Sequence, residues 1–189
     1  MNRIAIRSAF MAMILLFVIV LVTIPSLTSA TTYIGMYADQ EHSECSSYPA
    51  LYQVVNYWSW VQPGEDGMLC VEYEITTPAN VIEAATTVNP AAGYHIGDAI
   101  VPPGATVCFP TCVTDWIWIH QLTCLVTVAT PSVISIDPHE DYEVLRSINC
   151  IEVGDSIETM TKINDLFLFQ GCCLSTTESS WGAIKSLLK

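Results

Sequence analysis

The clearest pattern in the chain is a strict alternation near residue 70. Leu69, Val71, Tyr73 and Ile75 are apolar, and Cys70, Glu72, Glu74 and Thr76 lie between them. A period of two places alternate side chains on opposite faces of a strand, one facing a core and one facing water. Shorter or more apolar runs repeat the signal over 32–37, 52–61, 80–88, 94–101, 105–109, 115–128, 142–153 and 163–169. The run at 52–61 (YQVVNYWSWV) is unusually aromatic. The run at 115–128 (DWIWIHQLTCLVTV) is long enough that it must bend or be covered on both faces. Turn chemistry separates these segments: Pro63 to Gly67, Pro78, Asn89-Pro90, Pro102-Pro103-Gly104, Pro131 and Asp137-Pro138. An amphipathic helix is predicted only at the end, where Ser179 or Ser180 caps a short segment carrying Trp181, Ile184 and Leu188 on one side.

A different pattern governs the first thirty residues. Arg3 and Arg7 precede an unbroken apolar run from Ala9 to Val22, Pro25 interrupts it, and Thr28-Ser29-Ala30 offers small residues at a cleavage site. A charged start, an apolar middle and a small-residue exit are the parts of a secretory signal. Residues 1–30 are therefore expected to be a signal peptide, residues 31–174 one β-rich domain, and residues 175–189 a polar tether with a short amphipathic tail.

Charge sharpens this picture. The chain has 19 acidic and 6 basic residues and a net charge of −13, and losing Arg3 and Arg7 with the leader takes it to −15. Such a surface repels nucleic acid and anionic lipid. The expected partners are an extracellular protein or a polysaccharide, with no nucleic acid and no membrane span after cleavage.

Eight cysteines, Cys45, Cys70, Cys108, Cys112, Cys124, Cys150, Cys172 and Cys173, all follow the leader. An even count in an exported chain reads as a disulfide framework of three or four bridges, with pairings left open. Cys172 and Cys173 are neighbours and are expected to bond elsewhere rather than to each other. Cys108 and Cys112 have zinc-type spacing and could join Cys124 or His120, although an oxidising compartment argues for disulfides instead. No Cys-x-x-Cys redox motif and no Asn-x-Ser/Thr sequon occurs.

Two clusters are candidate binding sites. Asp137, Glu140, Asp141 and Glu143 crowd a short turn with His139, and calcium favours several oxygen ligands. The spacing does not match an EF-hand, and a solvated acidic turn is the simpler account. No cofactor is expected, with calcium as the one ion this cluster could take. Asp39, Glu41 and Glu44 form a weaker acidic group. Trp58 and Trp60 share one strand face, as do Trp116 and Trp118, an arrangement suited to stacking on a ligand or to filling a core. For catalysis there is no Gly-x-Ser-x-Gly elbow, no His-Glu-x-x-His helix and no phosphate loop. His42, His95, His120 and His139 are widely spaced, and His120 in an apolar strand reads as a hydrogen-bonded core or edge residue.

The stretch Tyr33-Ile-Gly-Met-Tyr-Ala-Asp39 followed by Cys45 resembles the opening of a loosely defined group of uncharacterised secreted bacterial domains with cysteine-bearing β-sandwich-like folds. The end, Ser180-Trp181-Gly182-Ala183-Ile184-Lys185-Ser186-Leu187, resembles a Trp-Gly-x-Ile/Leu-Lys tail of exported Gram-negative proteins. The resemblance implies a secreted, periplasmic or cell-surface bacterial protein, with the tail as a recognition or docking segment. Many short strands punctuated by Pro and Gly predict a single antiparallel β-sandwich of immunoglobulin-like or cohesin-like type, stabilised by disulfides. The expected role is a non-enzymatic extracellular module for adhesion, structure or ligand binding. The alternatives are a carbohydrate- or calcium-binding accessory domain and, less favoured, a secreted hydrolase using carboxylates.

Overall fold

The computed structural model describes residues 31–151 and 157–171. The expected signal peptide, the C-terminal tether and tail, and Cys172 and Cys173 lie outside the described residues.

The described chain is all-β, with thirteen strands in two sheets. The first sheet has five strands: β1 (Tyr33–Tyr37), β3 (Val54–Gln62), β5 (Val81–Val88), β8 (Ile117–Val126) and β12 (Thr161–Asn164), in the order β12-β1-β3-β8-β5. The second has eight: β2 (Ser46–Ser47), β4 (Met68–Thr76), β6 (Tyr94–Asp98), β7 (Val101–Val113), β9 (Ser132–Asp137), β10 (Arg146–Ile148), β11 (Ile157–Thr159) and β13 (Leu166–Leu168). Strand β4 organises this sheet. It pairs with β7 along residues 68–73, with β10 along 70–72 and with β9 along 74–76. Pairing is antiparallel except at β1–β12 and β13–β2, which are parallel.

The alternation in β4 holds from Val71 to Ile75 and slips before it, where a register shift between Met68 and Cys70 leaves Leu69 half-buried and puts Met68 in the core. Val71, Tyr73 and Ile75 are buried, and they meet Ile34, Met36, Tyr57 and Val61 of the other sheet, with Leu122 and Val126 of β8, in one core. Sheets facing each other with apolar inner rows define a sandwich.

Several elements depart from the sequence reading, each for a local reason. The Pro102-Pro103-Gly104 turn lies inside β7 rather than ending a strand. These three residues stand opposite a register shift at Gly97/Asp98 and take no part in the ladder, so the prolines forfeit no strand hydrogen bond. Strand β9 was hidden between two proline-marked turns. The run at 163–169 is divided at Asp165 into β12 and β13, which belong to different sheets. Only Arg146–Ile148 of the 142–153 run is a strand among the described residues.

Two disulfides clamp the eight-stranded sheet. Cys70–Cys108 links directly paired residues of β4 and β7, and Cys112–Cys150 ties the end of β7 to the chain leaving β10. Gly67, at φ 67°, sits against the second bridge, where any Cβ would collide with the Cys112 sulfur. Cys45 is also disulfide-bonded. Two expectations are corrected. Cys124 is a buried free thiol, because its side chain points from β8 into the core; burial, then Glu83, pushes it up to about 12. The zinc-type pair Cys108 and Cys112 is divided between two separate bridges, which leaves no thiolate for a metal.

Candidate interaction face

Register decides which tryptophans share a face. In β3, Tyr57, Ser59 and Val61 are buried, so Val54, Asn56, Trp58 and Trp60 point outward. In β8 a strict alternation would put Trp118 and His120 together. A shift in the β3–β8 pairing leaves Ile119 as an extra residue: Trp60 faces Trp118, while Ser59 faces His120. The bulge therefore turns Trp118 out beside Trp60 and His120 in beside Ser59. On β1, Tyr37 pairs with Trp58 and Gly35 with Trp60. A Cβ at Gly35 would meet the side-chain oxygen of Asn164, whose amide donates to the Met36 carbonyl and seals the β1–β12 edge.

A loop covers one end of this face. The Asp39 carboxylate accepts from Ser43 N at 3.0 Å, Glu44 N at 2.9 Å and Ser43 Oγ at 2.5 Å, and Ala38 N donates to the Glu44 carbonyl at 2.8 Å. The closed loop holds His42 in the left-handed region at φ 46° and lays its ring between two tryptophans. His42 stacks on Trp116 at 4.4 Å between centroids and lies 4.7 Å from Trp60, with Tyr37 edge-on to His42 and Trp116. Burial lowers the His42 pKa, opposed by the charges of Asp39 and Glu41. The Nδ1 of His42 and the Nε1 of Trp60 are buried without a hydrogen-bond partner. The structure thus brings together all four predicted tryptophans, each half-buried, and adds Tyr37 and His42. Neither addition had a sequence signal, because both depend on the loop and on cross-strand register.

The rest of the face continues the character. Val54, Leu125 and Ile82 form one outward row across β3, β8 and β5, with Val54 60% and Ile82 53% exposed. Asn56, Thr123 and Ala85 form the next row, where the Thr123 hydroxyl donates to the Asn56 side-chain oxygen at 2.9 Å. Along these outward positions of β1, β3, β8 and β5 there is no Asp, Glu, Lys or Arg. The outer face of the other sheet is ionic. Arg146 lies 3.7 Å from Glu72 and over the Tyr142 ring, and Glu74 stands opposite Asp137, which Lys162 of β12, at the edge of the first sheet, approaches together with Asp165.

The expected calcium ligands do not converge. Asp137 ends β9 and accepts from Ser135 Oγ at 2.7 Å, Asp141 faces His139, and Glu140 and Glu143 are exposed on the turn. Among the described residues no group of three His, Cys, Asp or Glu is placed to hold a metal ion. In the second acidic group, Asp39 is committed to its own loop.

The architecture is a disulfide-clamped two-sheet sandwich with one ionic and one uncharged aromatic face. Its solved neighbours in fold are cohesin domains. A chain of the Coh-OlpC–Doc435 cohesin–dockerin complex from Clostridium thermocellum superposes with a TM-score of 0.51 at 6% identity, covering 76% of this chain and 97% of that one. A chain of the CaDoc0917–CaCohA2 complex gives 0.51 at 10% identity, covering 73% and 98%. A non-cellulosomal cohesin from Archaeoglobus fulgidus gives 0.48 at 11% identity, covering 79% and 96%. At these identities the likeness concerns the fold. No family model matches the chain, and no curated protein matches it.

Proposed function

We propose that this chain is a secreted, non-enzymatic module that binds another extracellular protein through the outer face of its five-stranded sheet. The observation that carries the reading is the charge contrast. A molecule of net charge −13 keeps the outward positions of four adjacent strands free of charge and rich in tryptophan. Aromatic residues are favoured and charges depleted at the centres of protein interfaces. Half-buried tryptophans locked by neighbours present area at little conformational cost. The two disulfides fit an oxidising location outside the cytoplasm. The cohesin-like fold supports a binding role, since two of its neighbours were solved in complex with a partner. A polysaccharide is the second reading, favoured by the same tryptophans.

The test uses one charge placed on each face. Thr123→Arg lies on the uncharged sheet, and Thr106→Arg lies on the ionic sheet beside Glu72. Binding of labelled protein to the surface of the producing cells is expected to fall at least about tenfold for Thr123→Arg, a cost typical of desolvating a charge in an interface core. Thr106→Arg should bind as the native chain does. Equal binding by both variants would count against the face.

A further inference from the structure

A second feature lies where the two sheets meet at the β6 edge, and it is independent of the aromatic face. His95 on β6 pairs with the buried Val107, so its side chain is directed inward although the edge strand leaves it exposed. Its ring centroid lies 5.6 Å from that of His120, which comes from the opposite sheet and is fully buried.

His120 is held from behind. Its Nδ1 is 2.5 Å from the Tyr73 hydroxyl, which is 2.7 Å from Ser59 Oγ. Ser59 Oγ accepts from His120 N at 3.0 Å and lies 3.5 Å from the His120 carbonyl. One proton arrangement satisfies the whole chain: Nδ1–H donates to Tyr73, Tyr73 donates to Ser59, and Ser59 donates to the carbonyl. The reverse would bury an unpaired Nε2–H, the costlier orphan. The favoured arrangement leaves the Nε2 lone pair buried and unpartnered. A histidine oriented through one nitrogen by a second group, with the other free, is the usual form of a metal ligand.

The geometry points to a two-histidine site for a borderline divalent transition ion such as zinc, formed by His95 and His120, with water in the remaining positions. Two imidazoles sharing a tetrahedral ion at about 2.1 Å place their centroids roughly 5 Å apart, close to the separation found. Such an ion would staple the open edge of the eight-stranded sheet to the five-stranded one.

Zinc chloride titrated into chelator-stripped protein near neutral pH tests this. Zinc at about ten times its dissociation constant should raise Tm by about 3–6 °C. His95→Ala, a change at an exposed edge, should abolish the shift, while His42→Ala and His139→Ala keep it. Nitrogen-15 NMR of the stripped protein should show His120 protonated on Nδ1, and zinc should move its Nε2 signal. An equal Tm rise in His95→Ala, no rise at millimolar zinc, or an Nε2–H tautomer in the stripped protein would overturn the site.

Discussion

At the scale of single residues, the core between the sheets carries a polar device, the Ser59–Tyr73–His120 chain. Burial, reinforced by His95, lowers the His120 pKa to about 3, so the folded protein keeps this ring neutral. The unfolded chain takes up the proton near the ordinary histidine value of about 6.5. Below that pH the unfolded state binds a proton that the folded state refuses. Stability is therefore full above about pH 7 and falls as the pH drops from 6.5 towards 3. The loss should reach about 2 kcal/mol by pH 5, before most carboxylates titrate, with His42 adding in the same direction. Urea unfolding of metal-free protein at the two pH values checks it, and a flat profile from 7 to 5 would show that His120 is not the buried neutral residue described. That His120 is hydrogen-bonded was legible from its apolar neighbours, while its place in the core rather than at an edge was not. Its Tyr73 and Ser59 partners were not, because they come from two other strands.

At the scale of elements, hydrophobic period located most strands and proline misplaced their ends. Proline was read as a terminator at 102–103, yet the chain passes it by leaving the ladder for three residues and resuming pairing at Ala105. Strand β9 was masked by the same bias, although Ser132–Asp137 alternates cleanly. The shift at Ile119 could not be read at all, since a bulge is a property of the pair of strands and not of either one. The bridge from Cys112 to Cys150 closes a separation of 38 residues at the end of β7. Its removal by Cys112→Ser with Cys150→Ser should cost about 2–4 kcal/mol. Gly67→Ala should also destabilise, since it meets both a positive φ and the Cys112 sulfur. Thermal unfolding of the two variants measures this, and native-like Tm values would mean that the bridge does not hold β7 in place.

At the scale of the whole molecule, the two sheets differ in what they offer outward. Composition announced an acidic, disulfide-bonded protein, and alternation announced a sandwich. Neither could show that the outward positions of β1, β3, β8 and β5 carry no charge while Trp58, Trp60, Trp116 and Trp118 gather there. Trp58 and Trp60 were visible as a pair on one strand, and Trp116 and Trp118 as a pair before and within another. Their union required β3 and β8 to be neighbours, the bulge at Ile119, and the 38–44 loop that inserts His42 between Trp60 and Trp116. The carboxylates of the acidic turn at 137–143 are kept apart for the complementary reason. Residues close in sequence were sent to a strand end and an exposed turn, where Asp137 accepts from Ser135 and Asp141 faces His139.

The most direct test of the aromatic face as a binding surface is site-specific photo-crosslinking in the cells that make the protein. A crosslinking residue at Gln121, between Trp58 and Thr87 on the uncharged sheet, is compared with one at Glu74 on the ionic sheet. The account predicts a discrete adduct from position 121 that collapses on protease treatment of the captured partner and survives glycosidase, with none from position 74. An adduct that glycosidase removes would assign the face to a polysaccharide. Adducts from position 74 alone, or from neither position, would contradict the central claim.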